Sequence, residues 1–575
     1  MNGIEQCFKK PTLLSILSWS RYSIFSLLFL VPAAHGYTFF SPRSQTVNAA
    51  RELVGWQQFI NIPAHDRCSY STFSATPEYT QSFKENQLAE YFFGCPTRIF
   101  SGSQVSARGE HDILADYFGL PTDFQSSVTF KPRVQNALLD LDWYQSLDNL
   151  WSGAYIRVHA PLVYAAWEMN MCESIEQPGT NAYPAGYMAS SAVERSVLES
   201  SVTNAFCRKQ TVGDMQPLTA GRICCSKRTR TNVAEVQVAL GHNPILCDTH
   251  HFGWNIRTSI PTGCRSRGDF LFEPMIGNGG HWELGAGLTG HVTAWSSACE
   301  NHAVALYSDL NVTHLFTARQ RRSFDFTANG CLSRYMLLEQ MSAPLVSGLE
   351  VNRGAPIVEV PVQNQYSGKL IPAVNVTTLW ANISVDAQVD FVIKAAYTYK
   401  NCTVDIGYDL WFRSKEKMGC REQFPNNAYA LKGDTQLYGF ALDNPSVFVA
   451  LNGTQHAATI QGGQAPGNSD FTNDNVDNPG PATFNSLPLF TPTATVNGSA
   501  QAILLTDADL NNTSGLAPRA LSQMLFFHAG YDWHTCNGTN PFVGVGASVE
   551  WGNRTDHVTT ALSQWGVWLK IGFNR

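Results

Sequence analysis

The chain has 575 residues and a formal net charge of −7, which argues against a nucleic-acid-binding protein, whose domain would be basic. Charged residues make up 15% and aromatics 12%, and 44 positions are glycine. The charged share lies below the roughly 25% usual for soluble chains, and the balance suits a sheet-rich protein with a large apolar exterior.

In chain order, the first element reads as an export signal. Lys9 and Lys10 supply positive charge, residues 22–34 an apolar core, and Ala34-His35-Gly36 a small-residue cleavage point before Tyr37. Residues 1–36 are therefore expected to be a signal peptide, with a retained N-terminal anchor as the competing reading. No later run of about 18 or more apolar residues follows, so no further transmembrane helix is expected. A membrane location would then require a closed barrel, since only helices and closed barrels satisfy every backbone polar group in lipid.

Residues 37–123 form an N-terminal region that reads as a plug, a cap or the first strands, the last being the simplest. Val47, Ala50, Leu53 and Val54 share one helical face, and residues 110–118 suit a short helix stopped by Gly119 and Pro121. From Phe124 onward a period-two pattern dominates. Leu139, Leu141 and Trp143 alternate with Asp140 and Asp142. Ile156 and Val158 alternate with Arg157 and His159, with Pro161 interrupting the run. Similar alternation recurs at 251–260, 281–292, 403–412 and 543–552. Several of these segments run about 9 to 13 residues, longer than the roughly 5 to 6 of soluble strands and close to the ~9–11 that cross a bilayer. Gly277-Asn278-Gly279-Gly280 reads as a hairpin turn between strands at 270–276 and 281–295. Long insertions are expected near 173–232, 342–385 and 452–521, with a helix at 190–206, whereas Asn553 to His557 is a brief turn. Short turns on one side and long loops on the other is the outer-membrane pattern.

The last strand is the clearest. Trp565, Val567, Leu569, Ile571 and Phe573 form an apolar face that alternates with Gly566, Trp568, Lys570 and Gly572. With the export signal, the long alternating segments and the large polar loops, residues 124–575 resemble Gram-negative outer-membrane β-barrel proteins, of a porin-like kind but matching no one family. In such proteins the closing strand is also read by the assembly machinery and ends on an aromatic; here Phe573 is followed by Asn574 and Arg575. The resemblance implies a pore, a transporter, a structural barrel or a surface adhesin.

The expected fold is thus all-β: a transmembrane antiparallel barrel of about 12–16 strands with long extracellular loops. Arg157, His159, Arg257, His281, Glu283, Asp405, Asp409, Glu550 and Lys570 are expected to line the lumen. Trp565, Val567, Leu569, Ile571 and Phe573 are expected to face lipid. Oxidising export makes Cys68, Cys95, Cys172, Cys207, Cys224, Cys225, Cys402 and Cys420 candidates for disulfides, of undetermined connectivity.

Other motifs carry less. His281, Glu283 and His291 share a face, but His281 and His291 lie about 33 Å apart at strand rise, too far to ligate one ion. No nucleophile elbow, zinc-protease motif or phosphate loop occurs, so neither enzyme activity nor a metal or cofactor is expected. Numerous Asn-x-Ser/Thr sequons, among them Asn311, Asn375 and Asn553, favour the rival class of secreted soluble all-β binding proteins.

The expected function is passive diffusion of small polar solutes across the cell outer membrane, through a water-filled lumen that the helix at 190–206 could narrow. A surface, adhesive or structural barrel without a channel is the alternative. The expected partners are the lipid bilayer, the outer-membrane assembly machinery and the solutes, with no nucleic acid.

Overall fold

Where side chains alternate between apolar and polar, the computed structural model forms long strands, because period-two alternation suits a sheet with two different environments on its faces. It describes residues 36–575 except 64–68, 107, 225, 299–300, 342–347, 351–357, 361–365, 434–436, 442–443, 451–453, 463–501, 536–537 and 556–557. The proposed signal peptide and Cys68 and Cys225 therefore fall outside the described residues, apart from Gly36, as does much of the 342–385 and 452–521 insertions.

Twelve antiparallel strands close into a barrel. They are β1 (Ser71–Ser82), β2 (Arg133–Ser146), β3 (Ala154–Glu168), β4 (Glu235–Leu246), β5 (His250–Pro261) and β6 (Glu283–Ser296). The ring continues with β7 (His302–Ser323), β8 (Thr378–Tyr399), β9 (Cys402–Arg413), β10 (Ala520–Asp532), β11 (Asn540–Gly552) and β12 (Gln564–Asn574). Each strand pairs with its successor. The last returns to the first, from Thr72 opposite Asn574 to Ser82 opposite Gln564. Closure removes both sheet edges, so every strand has a partner on each side.

The order is up-and-down, so alternate connections lie at opposite ends. Residues 147–153, 247–249, 297–301, 400–401 and 533–539 make short turns at one end. The turn from β8 to β9 is the tightest, with Lys400 at φ 53. Residues 83–132, 169–234, 262–282, 324–377 and 414–519 make the long connections at the other end, where 553–563 also lies.

The described parts of those long connections pack together into a cap. Its apolar core joins Phe100, Phe118, Phe206, Tyr335, Leu370 and Leu431, drawn from four of these insertions. Two small sheets support it: Thr97–Ser101, Ile113–Leu114, Gln125–Phe130 and Met171–Gln177 form one, and Leu337–Met341, Tyr366–Pro372 and Tyr429–Leu431 the other.

Several expectations need correction. The barrel begins at Ser71, ahead of the boundary read at Phe124, and β8 begins at Thr378, inside the insertion expected to run to 385. Residues 270–276 form no strand; Phe270 makes only an isolated bridge with Arg222, and β6 starts at Glu283, so His281 precedes it. The 190–206 stretch gives a short turn of 3-10 helix at Arg195–Val197 and a helix at Val202–Cys207. Phe206 of that helix packs on Phe118 and Tyr335 in the cap, with ring centroids 5.2 and 5.6 Å apart, so the helix does not enter the lumen. No described helix is long and apolar enough to cross a membrane.

Candidate functional site

The barrel has two contrasting faces. Outward-facing Leu141, Leu240, Ile256, Ile406, Val545 and Ile571 are exposed, Ile406 to 64%. On β12 the exposed side chains are Val567, Ile571 and Phe573; Trp565 and Leu569 lie on the same face, half-buried. Aromatic pairs mark both ends of this face. Phe73 and Phe573 meet at 5.9 Å near the short turns, and Tyr79 and Trp565 at 5.6 Å near the cap. Trp565 and Phe573 are separated by about 27 Å along the strand at roughly 3.4 Å per residue.

The inward face is polar and charged, and it is not lined by open water. The chain ahead of β1 runs through it from the cap to the short turns. At the cap end, the Tyr37 amide donates to the Tyr91 carbonyl at 2.9 Å, and the Thr38 hydroxyl to the Ser323 carbonyl at 2.7 Å. At the opposite end, Phe59 stacks on Phe542 at 5.3 Å, and its carbonyl accepts from the Thr72 hydroxyl at 2.7 Å. Asn61 lies beside Tyr144 and Asn243, each at 3.1 Å. Between these ends sits a short helix, α1 (Ala49–Leu53), whose N-terminus is capped by the Asn48 side chain accepting from the Arg51 amide.

Buried ion pairs fasten this segment to the wall. Arg43 reaches Asp390 at 2.6 Å, Asp409 at 2.8 Å and Glu550 at 3.5 Å. Arg51 reaches Glu78 at 2.5 Å and Asp140 at 2.9 Å. Glu52 points the opposite charge at Arg157, 3.4 Å away, and at His159, 3.8 Å away. Trp56 fills the space below, under Arg157 and Lys570, whose cationic groups stand 5.0 and 4.5 Å from its ring. Gln57 donates to Asp405 at 3.2 Å, and Asp405 also pairs with Lys394 at 3.1 Å and His528 at 3.2 Å.

The expected lumen residues divide into three groups. Asp409 and Glu550 converge on Arg43, while Arg157 and His159 converge on Glu52. Asp405 and Lys570 meet the segment through Gln57 and the Arg51 carbonyl. Arg257 instead joins His159 through Gln237, which both approach at 3.2 Å. Glu283 accepts from Asn278 at 2.7 Å, and His281 lies 2.6 Å from the Phe316 carbonyl, close to the cap. Asn278 and its glycines therefore fold against wall carboxylates instead of joining two strands; the Asn278 amide also donates to Glu235.

The residues that sequence reasoning missed are Arg43, Arg51 and Glu52 on the segment and Glu78, Asp390, Lys394 and His528 on the wall. The available signal was a pair of arginines set among apolar and amide residues just after the export signal.

A void of about 50 Å³ lies between the segment and the wall, touching Arg43, Arg51, Glu78 and Glu550. That is room for a few waters; the lumen expected to be water-filled is occupied by the segment itself, through Arg43, Arg51, Trp56 and Phe59. Asp140, Asp142 and His159 bring ligand atoms within 4.8 Å of one another. Arg51 already holds Asp140, and Arg157 holds Asp142 at 2.7 Å. The cluster is charge-compensated by the protein itself and forms part of the ion-pair network. Of the candidate disulfide cysteines, Cys95, Cys172, Cys224, Cys402 and Cys420 are thiols in this structure. The Cys207 sulfur lies 3.4 Å from the Ile223 carbonyl.

No protein-family model and no curated protein matches the chain. Solved structures do. An outer membrane channel from Pseudomonas putida F1 is 8% identical, covering 88% of this chain and 95% of its own, with a TM-score of 0.30. A Pseudomonas aeruginosa FadL homologue is 7% identical, covering 94% and 99%, with a TM-score of 0.25. The transport unit of the Escherichia coli autotransporter AIDA-I is 7% identical, covering 91% and 95%, with a TM-score of 0.20. The class that the chain's own geometry defines is a closed antiparallel barrel of the transmembrane type, apolar outside and charged within.

Proposed function

We propose that this protein is an outer-membrane β-barrel whose lumen conducts small polar solutes and is shut at rest by residues 38–61. The observation that carries this is the contrast between the two barrel faces. An exposed apolar face bounded by aromatics suits lipid, and an inward face of carboxylates, amines and guanidiniums suits a polar passage. The capped end, with the long connections, would face outward and the short turns inward.

The closing element is held largely by ion pairs and hydrogen bonds to the wall. These contacts run to wall side chains and leave the strand ladder untouched, so displacement of the segment, with other cations taking up the wall's carboxylates, opens the passage without dismantling the barrel. A second reading, a sealed surface barrel that works through its cap, is favoured by the filled lumen and the cap's own apolar core.

Planar-bilayer recording separates the two. The wild-type protein is expected to be closed for most of the time, and the Arg43→Ala/Arg51→Ala double variant to conduct. A double variant that retains heat-modifiable gel mobility, and so remains folded, yet passes no current would overturn the channel in favour of the sealed barrel.

A further inference from the structure

We infer that the carboxylate clusters around Arg43 and Arg51 are guanidinium-binding sites, occupied at rest by the chain's own arginines, and that the solutes this barrel admits carry guanidinium groups. The route by which a solute reaches these sites rests on the channel reading; the sites themselves do not.

The first site is built by neighbouring strands. Asp390 stands on β8, Asp409 on β9 and Glu550 on β11, and Ser522 of β10 donates to Glu550 at 2.5 Å. All three carboxylates are buried. They meet the Arg43 fork from two directions: Asp409 accepts from both terminal nitrogens, at 2.8 and 3.3 Å, while Asp390 takes Nη2 at 2.6 Å. The remaining Nε donates to the Val47 carbonyl at 2.7 Å, within the segment itself. The wall thus matches the planar, multi-donor geometry of a guanidinium, which an ammonium reproduces poorly.

The second site has the same logic. Glu78 on β1 and Asp140 on β2 take Nη1 and Nε of Arg51 at 2.5 and 2.9 Å. The void described above touches both arginines, so the two sites open onto one space.

Charge supplies the selectivity. The first site sets three carboxylates against one guanidinium, and the second sets two against one. Once the segment moves, the three acids of the first site and Glu78 of the second lose their arginine, while Asp140 keeps His159 at 3.6 Å; buried carboxylates so stranded are strongly unfavourable until a cation replaces the arginine. A guanidinium-bearing solute is the replacement that restores the same hydrogen bonds.

The test is chemical rescue in the full-length chain. Arg43→Ala and Arg51→Ala are each compared with wild type in methylguanidinium chloride and in methylammonium chloride at equal, low millimolar concentration. Thermal unfolding and bilayer current are both recorded. Methylguanidinium is expected to raise the melting temperature of each variant and to reduce its current at least several-fold, with little effect on wild type, because a ligand stabilises only the state that binds it. Methylammonium is expected to do neither. Equal responses to the two cations, or no response, overturn the inference. Should one variant fail to fold, the other carries the comparison. Rescue of melting in a variant that never conducts upholds the sites and removes the channel; conduction without rescue removes the sites and leaves the channel.

Discussion

Lys570, on the closing strand, donates a hydrogen bond to the backbone carbonyl of Arg51, in the segment that fills the barrel, at 3.0 Å. The strand that closes the ring therefore also holds what lies inside it. Its two faces have separable duties, and neighbouring substitutions distinguish them. Leu569→Lys places a charge midway between the aromatic pairs on the outward face, where about 2–4 kcal/mol of destabilisation is expected in a bilayer. Lys570→Gln should leave membrane insertion intact and loosen the segment. Heat-modifiable gel mobility reads insertion, and protease accessibility of residues 38–61 reads the segment; equal loss of insertion from both changes would overturn the face assignment.

Arg51 offers a second test, of the ion pairs. Removing one partner of a buried pair leaves the other uncompensated, at a cost of about 3–5 kcal/mol. Arg51→Met alone should therefore lower the melting temperature. Arg51→Met combined with Glu78→Gln and Asp140→Asn should recover much of the loss, because no buried charge is then stranded. A triple variant less stable than the single one would show that the carboxylates have partners that matter more than Arg51.

Much of the barrel was legible because its strands separate two environments, and an alternating sequence records that directly. The segments around Trp254, Leu284 and Val545 are cases in point. A first strand was expected somewhere in 37–123, but the place of β1 was not legible, for a physical reason. Its outward positions are Phe73, Ala75, Pro77 and Tyr79, a small and broken apolar face, and proline argues against a strand. The structure tolerates Pro77: it stands opposite Leu139 of β2, and the pairing with β12 skips from Ala75 to Glu78. The segment that fills the lumen was less legible still. Arg43 pairs with residues 347, 366 and 507 positions away, and nothing local to Arg43 distinguishes a guanidinium that threads a barrel from one in a surface loop. The expected lumen residues could be read as polar-face positions, but not what they would meet.

The cap carries a pH-dependent contact. Asp123 accepts from the Thr180 amide at 2.9 and 3.0 Å, from the Thr180 hydroxyl at 3.2 Å and from the Asn181 amide at 3.0 Å. Partial burial works to raise its carboxyl, and these hydrogen bonds outweigh that and hold it below the ordinary aspartate value. A folded-state pKa below the unfolded one stabilises above the unfolded pKa, and the contribution is lost as pH falls through the folded value. Protection of the Thr180 and Asn181 amides from hydrogen exchange, corrected for intrinsic rate, should therefore be full near neutrality and fall under strongly acidic conditions. Asp123→Asn should show the reduced protection at every pH. Protection in that variant equal to wild type at neutral pH would refute the contact's role.

Packing inside the closing strands makes the last prediction. Gly546 of β11 stands opposite Trp568 of β12, and a Cβ on Gly546 would come within 2.3 Å of the indole ring. The glycine is there so that the ring can lie across its neighbour, on the inward face beside α1. Gly546→Val should force Trp568 out of place and destabilise the barrel by about 1–3 kcal/mol, the usual cost of overpacking. Trp568→Ala alone should also destabilise, by leaving a void. Combined, the two changes relieve the clash and partly refill the space, so the double variant should be more stable than the sum of the single effects, a coupling expected only of residues in contact. Additive losses in thermal melts would mean that the indole does not occupy the space over Gly546.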